Sequence, residues 1–223
     1  MGYEEIDAWE EERWEKLYND FYGDYRNSDH YAEDVGEAIE DFKAERLKSF
    51  YVDNPLVAEP ALKLLSEAKE LLSQQHYSAA QVFAGGATEV TFQEALLKPI
   101  VYGFVHSDNV ASLVTSIIDE ARAVYRFKAL LVHIASEFAG VDLNLFKIGN
   151  STRSLWDELT EIRKVRNNVL HKAVTATEEA AVQSILIAST LLERIFPSVI
   201  SKLGLHLHED IRVCPLVYCG NAL

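Results

Sequence analysis

The helical spacing of apolar residues through most of the chain is what most restricts its fold. From Ala61 onward, apolar side chains recur three and four residues apart, as on one face of an α-helix. Only five prolines and ten glycines occur among 223 residues, whereas Ala, Leu, Glu and Lys, which favour helices, are plentiful. These patterns predict an all-α protein with one sizeable core and an appendage.

The predicted helices fall into three parts. Asp53-Asn54-Pro55 is the clearest turn signal in the chain, and we expect an acidic helical extension, residues 1–53, before it. In this extension Val35, Ile39, Phe42 and Leu47 share one face. Residues 54–203 should form a helical bundle, and residues 204–223 an irregular tail with one short extended piece at 212–218. Within the bundle the pattern predicts helices over 61–75, 78–98, 108–138, 155–173 and 177–203.

The negative charge of the chain is concentrated at its N-terminus. Residues 1–53 carry 17 acidic and 6 basic side chains, a net charge of −11, whereas residues 54–223 carry 18 and 15, a net charge of −3. Residues 147–172 oppose this trend, with six basic and three acidic side chains. Such a local positive field can attract a phosphate, while the acidic chain as a whole argues against broad binding to duplex DNA.

The predicted helix 155–173 carries an unusual polar group near its end, in the segment Arg166-Asn167-Asn168-Val169-Leu170-His171. Arg166 falls on the apolar stripe of this helix, so it should be partly buried and should need a partner or an anion. Residues four apart form a polar edge beside it: Arg163, Asn167 and His171. A side chain that titrates near neutrality, a permanent cation and an amide can together move a proton and hold a phosphate.

Two readings of this segment are compatible with its spacing. In the first, Arg166 and His171 are functional, Glu89 pairs with Arg166 and orients it, and Arg163 and Lys172 support phosphate binding. In the second, Arg166 is a buried structural residue paired with a core carboxylate, and His171 only complements the helix dipole. Independently of Arg166, Glu89 has the alternative of a surface carboxylate and Arg163 that of a solvated helix residue.

These residues resemble the marker of the HEPN superfamily of helical bundles. That marker is an Arg, usually followed by a polar residue, with a His a few residues later in the penultimate core helix; Arg166-Asn167 and His171 match it. Three earlier segments are similar to the family's first helix pair: Ala68-Lys69-Glu70-Leu71-Leu72, His76-Tyr77-Ser78-Ala79-Ala80 and Ala87-Thr88-Glu89. The resemblance covers roughly residues 57–203, and the pair Gly85-Gly86 departs from it.

The resemblance implies a metal-independent endoribonuclease of the toxin-like or defence type, in which two protomers bring their Arg and His residues into a shared cleft. His171 would take the proton of a ribose 2′-OH, Arg166 would stabilise the charge on the phosphoryl oxygens, and Asn167 would orient His171 or contact the phosphate. The products would be a 2′,3′-cyclic phosphate and a 5′-hydroxyl. The expected partners are RNA, a second copy of the chain and an antitoxin or defence-complex protein.

Two other functions stay open: a HEPN-type subunit that dimerises and binds RNA, a nucleotide or another protein without cutting, and a helical scaffold in which Arg166 is structural. The core offers no group of His, Cys and carboxylates with metal-ligand spacing, so we expect no metal and no cofactor. Cys214 and Cys219 match no zinc signature, and His206 and His208 in the tail are expected to bind nothing. No apolar run is long enough to span a membrane and no signal peptide is apparent, which favours a soluble, cytoplasmic protein.

Overall fold

The computed structural model describes residues 13, 16, 29–105, 107–120, 127–149, 151–209 and 211–215. This part of the chain is mostly helical, as predicted. Its elements follow in the order α1 (Asp29–Asp53), α2 (Glu59–Ser73), α3 (Tyr77–Val90), a first π-helical segment (Thr91–Leu97), α4 (Lys98–Phe104), α5 (Asp108–Glu120), α6 (Lys128–Ala139), α7 (Leu155–Lys172), α8 (Glu178–Thr190), a second π-helical segment (Leu191–Ile195), α9 (Phe196–Lys202), β1 (Leu205–His208) and β2 (Arg212–Pro215).

The chain forms two compact units, residues 1–44 and residues 45–223. In the first unit, the side chains of Ile39 and Phe42 on α1 are 48% and 51% exposed. Most of the first unit, including its tryptophans, lies outside the described residues. The division falls inside α1 and not at the predicted boundary, Asp53-Asn54-Pro55.

The last turns of α1 belong to the second unit because they are part of its core. Leu47 and Tyr51 are each 1% exposed, and the Tyr51 ring contacts Phe196 with a centroid distance of 6.0 Å. The predicted turn at Asn54 exists, but it joins α1 to α2 within one packed unit. A strong turn signal therefore marked the end of a helix and not the end of a domain.

The core of the second unit lies between α2, α3, α7 and α8, which pack against one another. The start of α7 is fixed by Ser154, whose hydroxyl accepts from the backbone N–H of Asp157. Thr177 caps α8 in the same way, by accepting from the N–H of Ala180. These caps place the starts of α7 and α8 within one residue of their predicted starts, whereas the predicted helix over 177–203 is α8, a π-helical segment and α9 in the structure.

Both π-helical segments end shortly before a proline, Pro99 in α4 and Pro197 in α9. Proline has no N–H to donate, so the regular α-helical pattern cannot continue through it. Pro99 would face the carbonyl of Ala95, and this carbonyl accepts from the Tyr51 hydroxyl at 2.6 Å. The predicted helix over 78–98 is therefore α-helical only to Val90.

The predicted single helix over 108–138 corresponds to α5 and α6 in the structure. Residues 121–126 between them lie outside the described part. Phe127, directly before α6, has a ψ of 23°, which is not α-helical. Gly140 ends α6 in the left-handed conformation, and the predicted loop follows to the start of α7.

The tail contains a hairpin, so the prediction of an irregular tail is wrong for residues 205–208, whereas the predicted extended piece at 212–218 is found as β2 at residues 212–215. Strands β1 and β2 are antiparallel, with His206 opposite Cys214 and His208 opposite Arg212. Leu205 and Val213 are 0% and 1% exposed, and the Val213 N–H donates to the carbonyl of Pro55 at 2.8 Å. Burial of these side chains attaches the hairpin to the bundle. Residues 216–223 lie outside the described part.

One stretch of described residues, Glu178–Lys202, is long and apolar enough to cross a membrane by composition. However, 61% of its most apolar window is buried inside the protein. This stretch is α8 to α9, which contributes one side of the core. By length and composition this stretch contradicts the expectation that no apolar run is long enough to span a membrane, but it is mostly buried, as a core helix is.

Candidate functional site

Helix α7 presents the predicted motif at its C-terminal half. Its first half is anchored by buried apolar side chains, among them Leu155 and Leu159 at 0% exposure and Ile162 at 4%. Arg166 follows Ile162 by four residues and therefore continues the same face. Its side chain is 18% exposed, which confirms the expectation of a partly buried arginine.

The guanidinium group of Arg166 is held by two side chains. Its Nη1 forms an ion pair with Oε2 of Glu89 on α3, and its Nη2 donates to Oδ1 of Asn167 at 3.2 Å. Glu89 is thus the partner of Arg166, as the first reading required, and Asn167 contacts Arg166. The pair also fits the structural reading of Arg166, because a carboxylate satisfies a half-buried arginine in either case.

Helix α3 is shaped to receive Arg166 at Gly85. A Cβ atom at position 85 would lie 3.1 Å from Cδ of Arg166 and 3.5 Å from its Cβ and Cγ. Helices α3 and α7 therefore approach each other closely at Gly85. Gly86 is different, because a Cβ there would meet only Leu64, at the ordinary distance of 3.6 Å.

Gln81 completes the face of α3 that lies against α7, and sequence reasoning missed it. Its Nε2 donates to the carbonyl of Ile162 at 3.0 Å, and its side chain is fully buried. The signal was present: Gln81, Gly85 and Glu89 are four residues apart, which places them on one stripe of a helix.

The contact between α3 and α7 retains two buried polar atoms that have no hydrogen-bond partner among the described groups. They are Oε1 of Gln81, an acceptor, and Nε of Arg166, a donor. Buried polar atoms are seldom left unpaired, because each lost hydrogen bond costs free energy. The composition of this contact is therefore not explained by apolar packing alone.

His171 lies at the exposed end of α7, beyond Arg166. Both His171 and Lys172 are exposed and stand in the last turn, where basic groups complement the negative end of the helix dipole. Ala173, with a φ of 51°, ends the helix. Five residues correspond to roughly 7.5 Å along the axis and about 140° around it, so Arg166 and His171 point to different sides of one helix.

The acidic residues within the basic stretch 147–172 are occupied by local partners. Ser151 donates to Glu158, Ser154 donates to Asp157 and Lys164 pairs with Glu161, at 2.7, 2.7 and 3.7 Å. Arg163 is half-buried on the polar edge of α7, and Arg153 is exposed at its start. The positive charge of this stretch thus lies along one helix and the loop before it.

A pocket of about 430 Å³ opens beside the loop that follows α7. It is lined by the start of α3, from Gln75 to Ala79, and by Thr175 and Ala176. Ser78 accepts from the N–H of Ala176 at 2.9 Å and fixes the loop to α3. The exposed side chain of His76 contributes a second imidazole near this end of the bundle.

The hairpin brings the two tail histidines close to a cysteine. In the tail, donor atoms of His206, His208 and Cys214 all lie within 4.8 Å of one another. The sequence did not predict this group, since Cys214 is brought to the histidines only by the hairpin.

No protein-family model, no curated protein and no solved structure matches this chain.

Proposed function

We propose that this protein is a metal-independent endoribonuclease with a HEPN-like bundle, in which Arg166 and His171 carry the reaction. The proposal rests on the way Arg166 is held between α3 and its own helix, α7. A glycine makes room for its aliphatic part, and a carboxylate and an amide fix its guanidinium group. Ordinary packing would not require all three around a half-buried cation.

The position of Arg166 supports a role at a phosphate. Glu89 and Asn167 each occupy one N–H on a terminal nitrogen, and each terminal nitrogen of an arginine carries a second N–H. These N–H groups match the geometry of two phosphoryl oxygens. In this role Glu89 holds the guanidinium plane in place, and Arg166 stabilises the charge that develops on the phosphate.

The exposure of His171 supports a role in proton transfer. A neutral imidazole removes the proton from the ribose 2′-OH, and the 2′-oxygen then forms a bond to the adjacent phosphorus. The bond from phosphorus to the 5′-oxygen breaks, and the 5′-oxygen takes a proton from an acid. The products are a 2′,3′-cyclic phosphate and a 5′-hydroxyl, so DNA, which lacks the 2′-OH, is not a substrate.

The separation of the two residues supports a two-fold dimer. Because Arg166 and His171 point to different sides of α7, one copy places few of the required groups together. In a dimer with both α7 ends at one cleft, His171 of the second protomer serves as the acid that protonates the 5′-oxygen. A monomeric mass by light scattering at tens of micromolar, with cleavage retained, would contradict this arrangement.

The second candidate is a dimerising subunit that binds RNA, a nucleotide or an antitoxin-like partner without cutting. The ion pair between Arg166 and Glu89 favours it, since a neutralised arginine attracts phosphate less strongly. The two candidates differ in the product: binding alone leaves RNA intact.

The experiment uses a single-stranded RNA oligonucleotide and a matched oligonucleotide with one 2′-deoxynucleotide on the 5′ side of whichever position is cleaved in the first, or at a central position if none is cleaved. We expect cleavage of the first to a 2′,3′-cyclic phosphate end, in EDTA as well as without it, and protection of that position in the second. Cleavage of both at equal rates would contradict 2′-OH attack. Binding of both without cleavage would favour the second candidate.

A further inference from the structure

The C-terminal hairpin gathers three metal-ligating side chains that the proposed function does not use. His206 and His208 are two residues apart on β1, so their side chains leave the strand on the same face. Cys214 on β2 lies directly opposite His206 in the register. Two imidazoles and one thiol therefore share one face of a two-stranded sheet.

The distances between these groups approach those of a metal site. Sγ of Cys214 lies 3.4 Å from Nε2 of His206, and donor atoms of all three residues lie within 4.8 Å of one another. In a tetrahedral zinc site, with Zn–N near 2.0 Å and Zn–S near 2.3 Å, ligand atoms are roughly 3.3 to 3.6 Å apart. His206 and Cys214 already have this spacing, and a small rotation of the exposed His208 side chain would reach it.

The chemistry of the donor set favours zinc. Imidazole nitrogen and thiolate sulfur are the ligands that zinc prefers in proteins, whereas magnesium and calcium prefer oxygen. The carboxylate of Glu209 lies 3.9 Å from Nε2 of His208, which is too far for a hydrogen bond in this arrangement. In zinc sites a carboxylate that approaches closely enough to accept from the ring nitrogen that does not bind metal commonly orients a histidine ligand.

The hairpin is anchored well enough to hold these side chains in place. Leu205 and Val213 are buried on its opposite face, and Val213 donates to the carbonyl of Pro55. A two-stranded hairpin without such support is only marginally stable in water. Because the ligands come from both strands, a metal ion would also join the strands to each other.

We propose that His206, His208 and Cys214 form a zinc-binding site with a fourth position open to solvent. The opening is a pocket of about 380 Å³ that His208 and Cys214 line together with Val52 and Pro55. A water molecule or a small anionic ligand occupies the fourth position. Binding releases the thiol proton, as a coordinating cysteine is deprotonated.

The test uses the full chain with Cys219→Ser, so that Cys214 is the only thiol, and Co²⁺ as a spectroscopic probe. We expect one equivalent of Co²⁺ to produce a sulfur-to-cobalt charge-transfer band and strong visible bands typical of tetrahedral coordination. Zn²⁺ should displace Co²⁺ and raise the melting temperature. The absence of these bands would overturn the proposal and leave only a thiol–imidazole pair.

Two variants test the ligands, and a third serves as the control. Cys214→Ser should lose the charge-transfer band. His206→Ala should weaken Zn²⁺ binding by at least about tenfold, which is the smallest loss expected even when the mutated residue only supports a metal ligand. His133→Ala, on the exposed side of α6, is the matched control and should bind as the parent does. Equal Zn²⁺ affinity in all three variants would refute this ligand set. Metal binding by the parent chain decides the question even if a variant folds poorly.

Discussion

Gly85 packs directly against the aliphatic part of Arg166, with 3.1 Å between Arg166 Cδ and the position that a Cβ at residue 85 would take. A glycine within a helix usually costs about 1 kcal/mol relative to alanine. At residue 85 this cost has a structural reason, because a larger side chain would occupy space that the half-buried Arg166 needs. The neighbouring Gly86 has no comparable requirement, which provides a matched comparison.

We expect Gly86→Ala to raise the free energy of unfolding by up to about 1 kcal/mol, the ordinary gain from helix propensity. Gly85→Ala should gain less, or lose stability, because Arg166 must move away from the new methyl group. It should also lower the cleavage rate, whereas Gly86→Ala should not. Chemical denaturation of both variants measures the difference. Equal stabilisation by both would mean that Gly85 is not needed to accommodate Arg166.

Removal of Glu89 should affect stability more than removal of an exposed acidic residue. Glu89→Ala leaves Arg166 without its carboxylate, at an expected cost of about 1 to 3 kcal/mol for a hydrogen-bonded charged group. Glu161→Ala breaks an exposed pair with Lys164 and should cost less than about 0.5 kcal/mol. Denaturant unfolding compares the two. A double-mutant cycle with Arg166→Ala isolates the coupling, and a coupling near zero would contradict the proposed orienting role of Glu89.

Tyr51 should make the protein sensitive to alkaline pH. Burial raises the pKa of Tyr51 well above its ordinary value, so the folded state keeps the phenol proton that the unfolded state loses above a pH of about 10. The free energy of unfolding should therefore fall as the pH rises above this value.

Tyr51→Phe isolates this effect, since the remaining tyrosines are common to both chains. The variant should lose about 1 kcal/mol near neutral pH, because the hydrogen bond to Ala95 is absent. Its stability should then decline less steeply above a pH of about 10. Parallel pH profiles for the two proteins would show that Tyr51 does not titrate differently in the folded state.

The acidic N-terminal segment should weaken RNA binding. Residues 1–44 carry 15 acidic and 4 basic side chains, a net charge of −11. A chain that begins at Glu45 retains the buried Leu47 and Tyr51 and should fold, whereas one that begins at Asn54 should be destabilised. The former should bind RNA more tightly than the full chain, with a difference that shrinks as salt screens the charge. Equal affinities at low salt would assign the segment another role.

The sequence predicted the motif helix well because several local signals agree there. These signals are the apolar spacing of α7, the loop with Gly149 before it and the cap of the next helix at Thr177. Each of them depends only on residues that are close together in the chain. The partial burial of Arg166 followed from its phase with Ile162. The ion pair between Arg166 and Glu89 could not be derived from local spacing, since it joins two helices that are far apart in the chain.

The features that the sequence did not predict depend on contacts between distant segments. The assignment of Leu47 and Tyr51 to the core depends on Ala95 and Phe196, which no local pattern connects to them. The hairpin is too short for its alternation to stand out, and only its register places Cys214 beside His206. Gln81 was overlooked because a single amide in a helix has no local signature.

The most direct test of the central claim is the cleavage rate of His171→Ala on RNA, compared with the parent chain and with His133→Ala. We predict a loss on the order of 10² to 10⁴-fold, the usual contribution of a general base, with circular dichroism and melting temperature nearly unchanged because His171 is exposed. His133→Ala should cleave at the parent rate. Equal rates for His171→Ala and the parent, with the same 2′,3′-cyclic phosphate ends, would remove His171 from the reaction and contradict the proposed function.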